Sequence, residues 1–301
     1  SLRGVFMNRT IFKGTCTAAV TPFTENGIDF EAFGRQIENQ IDGGIEAICV
    51  LGTTGEASTV TDEEYKNIAE FAREKISGRT KFILGTGSNC TKRAIEKSVF
   101  ACEIGADGIL VVTPYYNKCT QKGLVKYYND ICKEVNVPVL CYNVPGRTGV
   151  NILPETMAEI AENPMIGGIK EACGKLEQIA KTAKLINGKT ALYSGDDNLN
   201  YDMLELGSFG LISVVSNVLP KITGDVARLY FNGEKNKSRE LQKKLLPLAD
   251  VMFSEVNPIP VKKAMQLIGL DRGIVRAPLT ELEKEHEPAL IKTLESFGFK
   301  F

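Results

Sequence analysis

The sequence predicts a (β/α)8 TIM barrel with a C-terminal helical appendage, on three observations. Eight short β-rich runs follow one another, they recur about every 20 to 35 residues, near one βαβ repeat, and the segments between them carry helix signals. That regular count favours a closed barrel over an open sheet, and 301 residues suit a barrel as one unit. The runs are 14–20, 46–51, 81–85, 108–113, 138–143, 166–171, 190–194 and 210–216. Thr61-Asp-Glu-Glu64 opens one intervening helix with a capping-box pattern, and Asn163-Pro164 breaks another just before the sixth run. From about residue 221 no strand pattern recurs, and 238–253, 261–268 and 280–297 read as helices. The barrel is therefore assigned to 8–225 and the appendage to 226–301, packed together because no linker or low-complexity tract divides them.

Bulk properties narrow the function. With 36 basic and 37 acidic residues the formal charge is -1, which gives no reason to expect nucleic acid or an anionic membrane as partner and leaves small molecules as the default. The 8 cysteines are scattered without a CxxC pair, several inside apolar runs, as in a reducing cytoplasm. No apolar stretch approaches the roughly 18 residues of a spanning helix, and no charged region precedes an apolar core at the amino terminus. A soluble, unexported protein is expected, with Met7 read as the natural start and the six residues ahead of it as a remnant.

In a barrel the chemistry lies at the C-terminal ends of the strands. The sixth run ends in Gly168-Ile-Lys-Glu171. A strand-end lysine among apolar neighbours loses hydration, and the neutral amine so favoured can attack a carbonyl, which makes Lys170 a Schiff-base candidate. The ordinary alternative is a lysine whose stem lies on apolar surface while its head reaches water. Glu171 should project to the other face if the strand is regular, so Tyr142 is the better proton carrier.

Other strand ends supply Gly52-Thr-Thr-Gly-Glu56, Thr113-Pro-Tyr-Tyr116, Tyr142-Asn-Val-Pro-Gly-Arg147 and Ser194-Gly-Asp-Asp197. Each has a plain reading as a tight turn, a core or interface aromatic, or a solvated arginine. Together they offer a nucleophile, hydroxyls for proton transfer, and donors for a carboxylate, a set suited to an oxo-acid substrate. The only histidine, His286, lies beyond the barrel, so neither a histidine triad nor a histidine-rich zinc site is expected. Asp196-Asp197 could hold a hard cation but reads more simply as turn or cap chemistry. The segment 85–90 lacks the last glycine of a dinucleotide fingerprint and no P-loop occurs, so no metal and no cofactor is assigned.

With those residues in view, the chain resembles the dihydrodipicolinate synthases, or 4-hydroxy-tetrahydrodipicolinate synthases, within the pyruvate-dependent aldolase and lyase superfamily. The resemblance covers nearly the whole chain through GTTGEAST (52–59), VTPYYNK (112–118), YNVPGRTG (142–149), GIKEACG (168–174), SGDD (194–197), GLISVVSN (210–217) and NPIPVKKAMQLIGL (257–270). It implies condensation of pyruvate with L-aspartate 4-semialdehyde, in lysine and diaminopimelate synthesis. It further implies that Lys170 forms the imine and that Tyr142, Thr53 and Tyr116 make a proton relay. Thr54 would hold the pyruvate carboxylate, Arg147 the relay and the semialdehyde carboxylate, and Gly195 and Ile212 would line the pocket. Tyr116 would enter the site of an adjacent subunit, in a homotetramer built as a dimer of dimers.

The sequence departs from the lysine-inhibited members of that family. Asp62, Tyr65 and Arg93 stand where a histidine and a glutamate typically serve the feedback site, although Asn89 and Tyr115 remain. Arg93 should repel a lysine ammonium, so weak or absent inhibition by lysine is expected in a steady-state assay. Two other readings stay open. A lyase of the N-acetylneuraminate or 2-keto-3-deoxy-gluconate kind would keep the Schiff base and change the acceptor, for which Arg147 is the discriminating residue. A non-catalytic pyruvate- or amino-acid-binding barrel would tolerate loss of the imine.

Overall fold

The computed structural model describes Arg9 to Phe301; the proposed start at Met7 lies outside the described residues. Eight strands form a closed barrel, and every barrel strand pair whose register is defined is parallel. In chain order these are β1 (Gly14–Ala18), β2 (Ala47–Val50), β3 (Lys81–Gly85), β4 (Gly108–Val112), β5 (Val139–Asn143), β6 (Ile166–Glu171), β7 (Ala191–Ser194) and β8 (Gly210–Ser213). The order around the barrel is the chain order, with β8 returning beside β1. This is the TIM-barrel fold. The parallel connections are made by helices α1 (Phe30–Asp42), α2 (Asp62–Ile76), α3 (Thr91–Glu103), α4 (Gln121–Glu134), α5 (Pro154–Ile160), α6 (Leu176–Ile186) and α7 (Asn200–Glu205). They are followed by α8 (Pro220–Phe231), α9 (Lys235–Met252), α10 (Ile259–Leu267) and α11 (Glu287–Ser296). Among the described residues no helix is long and apolar enough to cross a membrane.

Two compact units divide the residues, and each has its own logic. In the unit made of 81–212 with the described part of 1–14, the strands carry almost unbroken apolar runs because both strand faces are covered. Phe82, Ile83, Leu84, Ile109, Val111, Val139, Leu140 and Ile169 are all buried. Strand register then fixes which side chains sit side by side: Tyr142 of β5 is level with Lys170 of β6, which is level with Tyr193 of β7.

The unit made of 15–80 and 213–301 contains β1, β2 and the C-terminal helices. The capping box read at Thr61 is realised, with reciprocal bonds between Thr61 and Glu64 opening α2, and Asp29 Oδ1 accepts from Ala32 N at 2.9 Å ahead of α1. Two boundaries differ most from expectation. The eighth strand stops at Ser213 and gives way to the 3-10 turn Val215–Asn217, tied by Asn217 Nδ2 to Ala18 O at 2.8 Å. The last helix begins at Glu287 instead of 280, because Pro288 fits only the first turn, where its missing N–H costs nothing.

Candidate active site

β6 ends on Lys170 and Glu171, which alternation turns to opposite faces. Lys170 is 6% exposed, and its Nζ lies 4.1 Å from the ring centroid of Tyr142. Behind it comes Gly195, whose N–H donates to Glu171 O at 2.8 Å. A Cβ on Gly195 would stand 3.1 Å from Lys170 Cγ and Cε and 2.8 Å from Ala172 Cβ, so only glycine leaves room for the lysine stem. Ile212 is buried in β8. Lysine, tyrosine and glycine thus stand together, with a buried amine beside a phenol.

On the other face Glu171 is fully buried and accepts from Asn143 Nδ2 at 3.0 and 3.2 Å and from Cys173 N at 2.8 Å. Asn143 also donates to Asn151 Oδ1 and accepts from Ile152 N, each at 2.9 Å, and Gln178 Nε2 of α6 donates to Asn151 at 2.9 Å. This network ties the ends of β5 and β6 to the segment that carries Arg147. Burial pushes the Glu171 carboxyl up to about 7 against the opposing pull of those hydrogen bonds.

That shift has a stability consequence. Between the ordinary 4.5 and about 7 the folded chain holds a proton that the unfolded chain has lost, so this contribution to stability is full below 4.5 and falls as pH rises to 7. At about 1.4 kcal/mol per pH unit the loss is roughly 3 kcal/mol. Urea unfolding at pH 5 and pH 8 should therefore show wild-type stability falling more steeply with pH than that of Glu171→Gln; parallel profiles would refute the assignment.

Arg147 is exposed in the single helical turn Pro145–Thr148, which Gly149 closes at φ 74°. Tyr116 N donates to Thr148 O at 3.3 Å, and the Tyr116 side chain is 90% exposed on a residue with φ 70°. Tyr116 thus projects into solvent in the single chain. Asp196 follows its plainer reading: Oδ1 accepts from Asn198 N at 2.9 Å and caps the 3-10 turn Asp197–Leu199. Of the residues at the feedback positions, Asp62 and Arg93 are exposed while Tyr65 is buried.

In the other unit the Gly52-Thr-Thr-Gly-Glu56 turn follows β2. Glu56 N donates to Thr53 O at 3.0 Å, Thr21 Oγ1 donates to Gly55 O at 2.7 Å, and Asn257 Nδ2 donates to Thr54 Oγ1 at 2.9 Å. Gly55 is pressed against the chain, since a Cβ would lie 3.0 Å from Leu51 N and 3.2 Å from Ala19 O. Glu56 adopts a left-handed φ of 52°, a conformation that costs about 1 kcal/mol outside glycine. Its carboxylate accepts from Lys262 Nζ at 2.7 Å and from Arg276 N at 3.0 Å. Lys262 is itself fully buried and also donates to Ile274 O at 2.6 Å. Burial lowers the Lys262 pKa, opposed by Glu56 and Asp271. Arg276 in turn holds Glu64 by two bonds of 2.7 Å, which keeps that carboxyl down at about 2.

Asn143, Glu56, Asn257 and Lys262 were not singled out from sequence. Asn257 and Lys262 stand inside NPIPVKK, a visible motif, but nothing local announces that a lysine on a helix will be buried against a carboxylate more than 200 positions away.

Comparison with known proteins adds a second line of evidence. The model of the dihydrodipicolinate synthetase family matches residues 11–297. A 4-hydroxy-tetrahydrodipicolinate synthase of Caldicellulosiruptor bescii is 46% identical over 290 residues, covering 96% of this chain and 98% of that one. Among solved structures, the Thermotoga maritima dihydrodipicolinate synthase superposes with a TM-score of 0.94 at 41% identity, covering 96% and 99%. A dihydrodipicolinate synthase variant described as the first monomeric one gives 0.94 at 40% identity, covering 96% and 97%.

Proposed function

The chain belongs to the dihydrodipicolinate synthetase family, and on that premise we propose that Lys170 is the nucleophile through which it works. The enzyme is a lyase of the 4-hydroxy-tetrahydrodipicolinate synthase type, condensing pyruvate with L-aspartate 4-semialdehyde in lysine and diaminopimelate biosynthesis. The single observation that carries the residue assignment is the buried Lys170 amine 4.1 Å from the Tyr142 ring.

The neutral amine adds to the ketone carbon of pyruvate, and loss of water gives the imine. The imine accepts electron density when a methyl proton leaves, and the resulting enamine forms the new carbon–carbon bond at the aldehyde. Attack of the substrate's own amine on the imine carbon closes the ring and releases Lys170. Tyr142, Thr53 and Tyr116 move protons between these stages, as hydroxyls held in hydrogen-bonding reach do. Thr54 and nearby backbone N–H groups hold the pyruvate carboxylate. Arg147 supports the tyrosine relay and holds the carboxylate of the semialdehyde through its paired N–H donors. Gly195 and Ile212 line the pocket.

An exposed Tyr116 on a left-handed residue suits a side chain that completes the site of a second copy. The reading is a homotetramer, a dimer of dimers, in keeping with a relative singled out as monomeric. It works in the cytoplasm, where amino-acid biosynthesis supplies its substrates. Residues 8–225 are taken as the barrel and 226–301 as a helical region packed with it.

Turnover of pyruvate with the semialdehyde, followed by coupled reduction of the product, tests the assignment beside reactions given sugar-derived aldehydes. Turnover with the semialdehyde and a tetramer in sedimentation are expected. Turnover only with a sugar aldehyde would keep Lys170 and overturn the roles given to Arg147.

A further inference from the structure

The turn after β2 is held by the C-terminal helical region. Asn257, two residues ahead of α10, and Lys262, inside it, bond to Thr54 and Glu56 respectively, at 2.9 and 2.7 Å. Lys262 fixes the end of the turn. Asn257 acts on the very hydroxyl that the functional reading gives to the substrate carboxylate. Both Asn257 and Thr54 are buried, at 6% and 3% exposure, so water does not compete freely for that hydroxyl.

The direction of the bond matters. A threonine hydroxyl has one proton to give and lone pairs to accept with. When an amide N–H occupies a lone pair, the hydroxyl proton must be given elsewhere, and the accepted bond polarises the O–H and strengthens what it donates. An anion-binding site needs donors that do not have to be reoriented when the anion arrives. A threonine without such a partner spends part of its time donating to a neighbouring carbonyl.

We propose that Asn257 is a positioning residue for the oxo-acid carboxylate, acting through Thr54 by keeping that hydroxyl a committed donor. The proposal rests on the reading of Thr54 as a carboxylate ligand. It makes the C-terminal region a working part of the substrate site as well as a packing element. Because Asn257 acts through Thr54, its loss weakens capture of the carboxylate without altering the amine.

Borohydride trapping of the Lys170 imine in the full-length protein separates these effects, with pyruvate as the anionic ketone and hydroxyacetone as a neutral one. Asn257→Ala should raise the pyruvate concentration for half-maximal trapping about tenfold, the equivalent of one hydrogen bond to a charged group. Trapping of hydroxyacetone should stay within about twofold, since that ketone carries no carboxylate. Asn257→Asp, nearly the same shape, should be worse, by about a hundredfold for pyruvate alone, because its carboxylate takes the Thr54 proton and repels the substrate. In a Thr54→Val background the Asn257→Ala change should add less than about twofold, as expected when one residue acts through the other. Equal losses for both ketones, or unchanged half-saturation with pyruvate in both variants, would overturn the proposal while leaving the enzyme's assignment intact. Failure of the wild-type chain to trap pyruvate would instead overturn the functional reading, and this proposal with it.

Discussion

Lys170→Ala is expected to reduce turnover by on the order of 10⁴-fold or more and to abolish borohydride trapping of pyruvate, while the chain still folds. The size follows from covalent catalysis: without the amine neither the imine nor the enamine forms, and no other described group replaces it at the end of β6. Stability should change little by comparison. The lysine's stem lies beside Gly195, but the strand pairing that holds Lys170 and Tyr142 in register is made by backbone. Tyr142→Phe provides the contrast. Removing one relay hydroxyl costs roughly 10²- to 10⁴-fold in general acid–base catalysis, yet the imine should still form and still be trapped. A Lys170→Ala protein that turns over within tenfold of wild type, or that is labelled by pyruvate under borohydride as strongly as wild type, would remove Lys170 from the mechanism and revive the binding-barrel reading.

What the sequence disclosed and what it hid divide along a physical line. The strands were legible because a parallel barrel buries both strand faces and writes them as short apolar runs; six of the eight agree with expectation to within one residue at either end. The first and last were drawn longer than the structure makes them, since the apolar character of Ala19 and Val20, and of Val214 and Val215, continues into loops that are also buried. That Lys170, Tyr142 and Gly195 stand near one another follows from topology, which brings strand ends together. Register then did the rest, with Lys170 level with Tyr142.

The supports of the site were not legible, and for one reason. Asn143, Glu56, Asn257 and Lys262 matter through bonds to residues distant in the chain, and their neighbours in sequence give no sign of it. Glu171 was read as pointing away from the lysine, which agrees with its bonds to Asn143 and Cys173. Its full burial could not be inferred from alternation alone. A line of charged residues runs inward, from Glu64 through Arg276 to Glu56 and Lys262, beneath the turn that carries Thr53 and Thr54.

That inward line sets the largest stability effect expected of any single charge. Lys262→Met keeps length and apolar stem but removes the ammonium, leaving the Glu56 carboxylate, 4% exposed, with only the Arg276 N–H as a described donor to its side chain. Breaking a buried ion pair from one side typically costs about 3–5 kcal/mol, because the remaining charge cannot regain its hydration. Ile274 O loses its 2.6 Å donor at the same time. The amine also stands 4.1 Å from the Phe23 ring centroid, so a cation–π contact goes with it. Urea unfolding should place Lys262→Met in that range below wild type. Combining it with Glu56→Gln, which removes the stranded charge and keeps an acceptor for Arg276 N, should recover at least about 1 kcal/mol. A single variant within about 1 kcal/mol of wild type, or a double variant no more stable than Lys262→Met, would mean that the pair carries no net strain when broken. The strained φ of Glu56 would then have to be maintained by the Gly55 and Thr21 contacts alone.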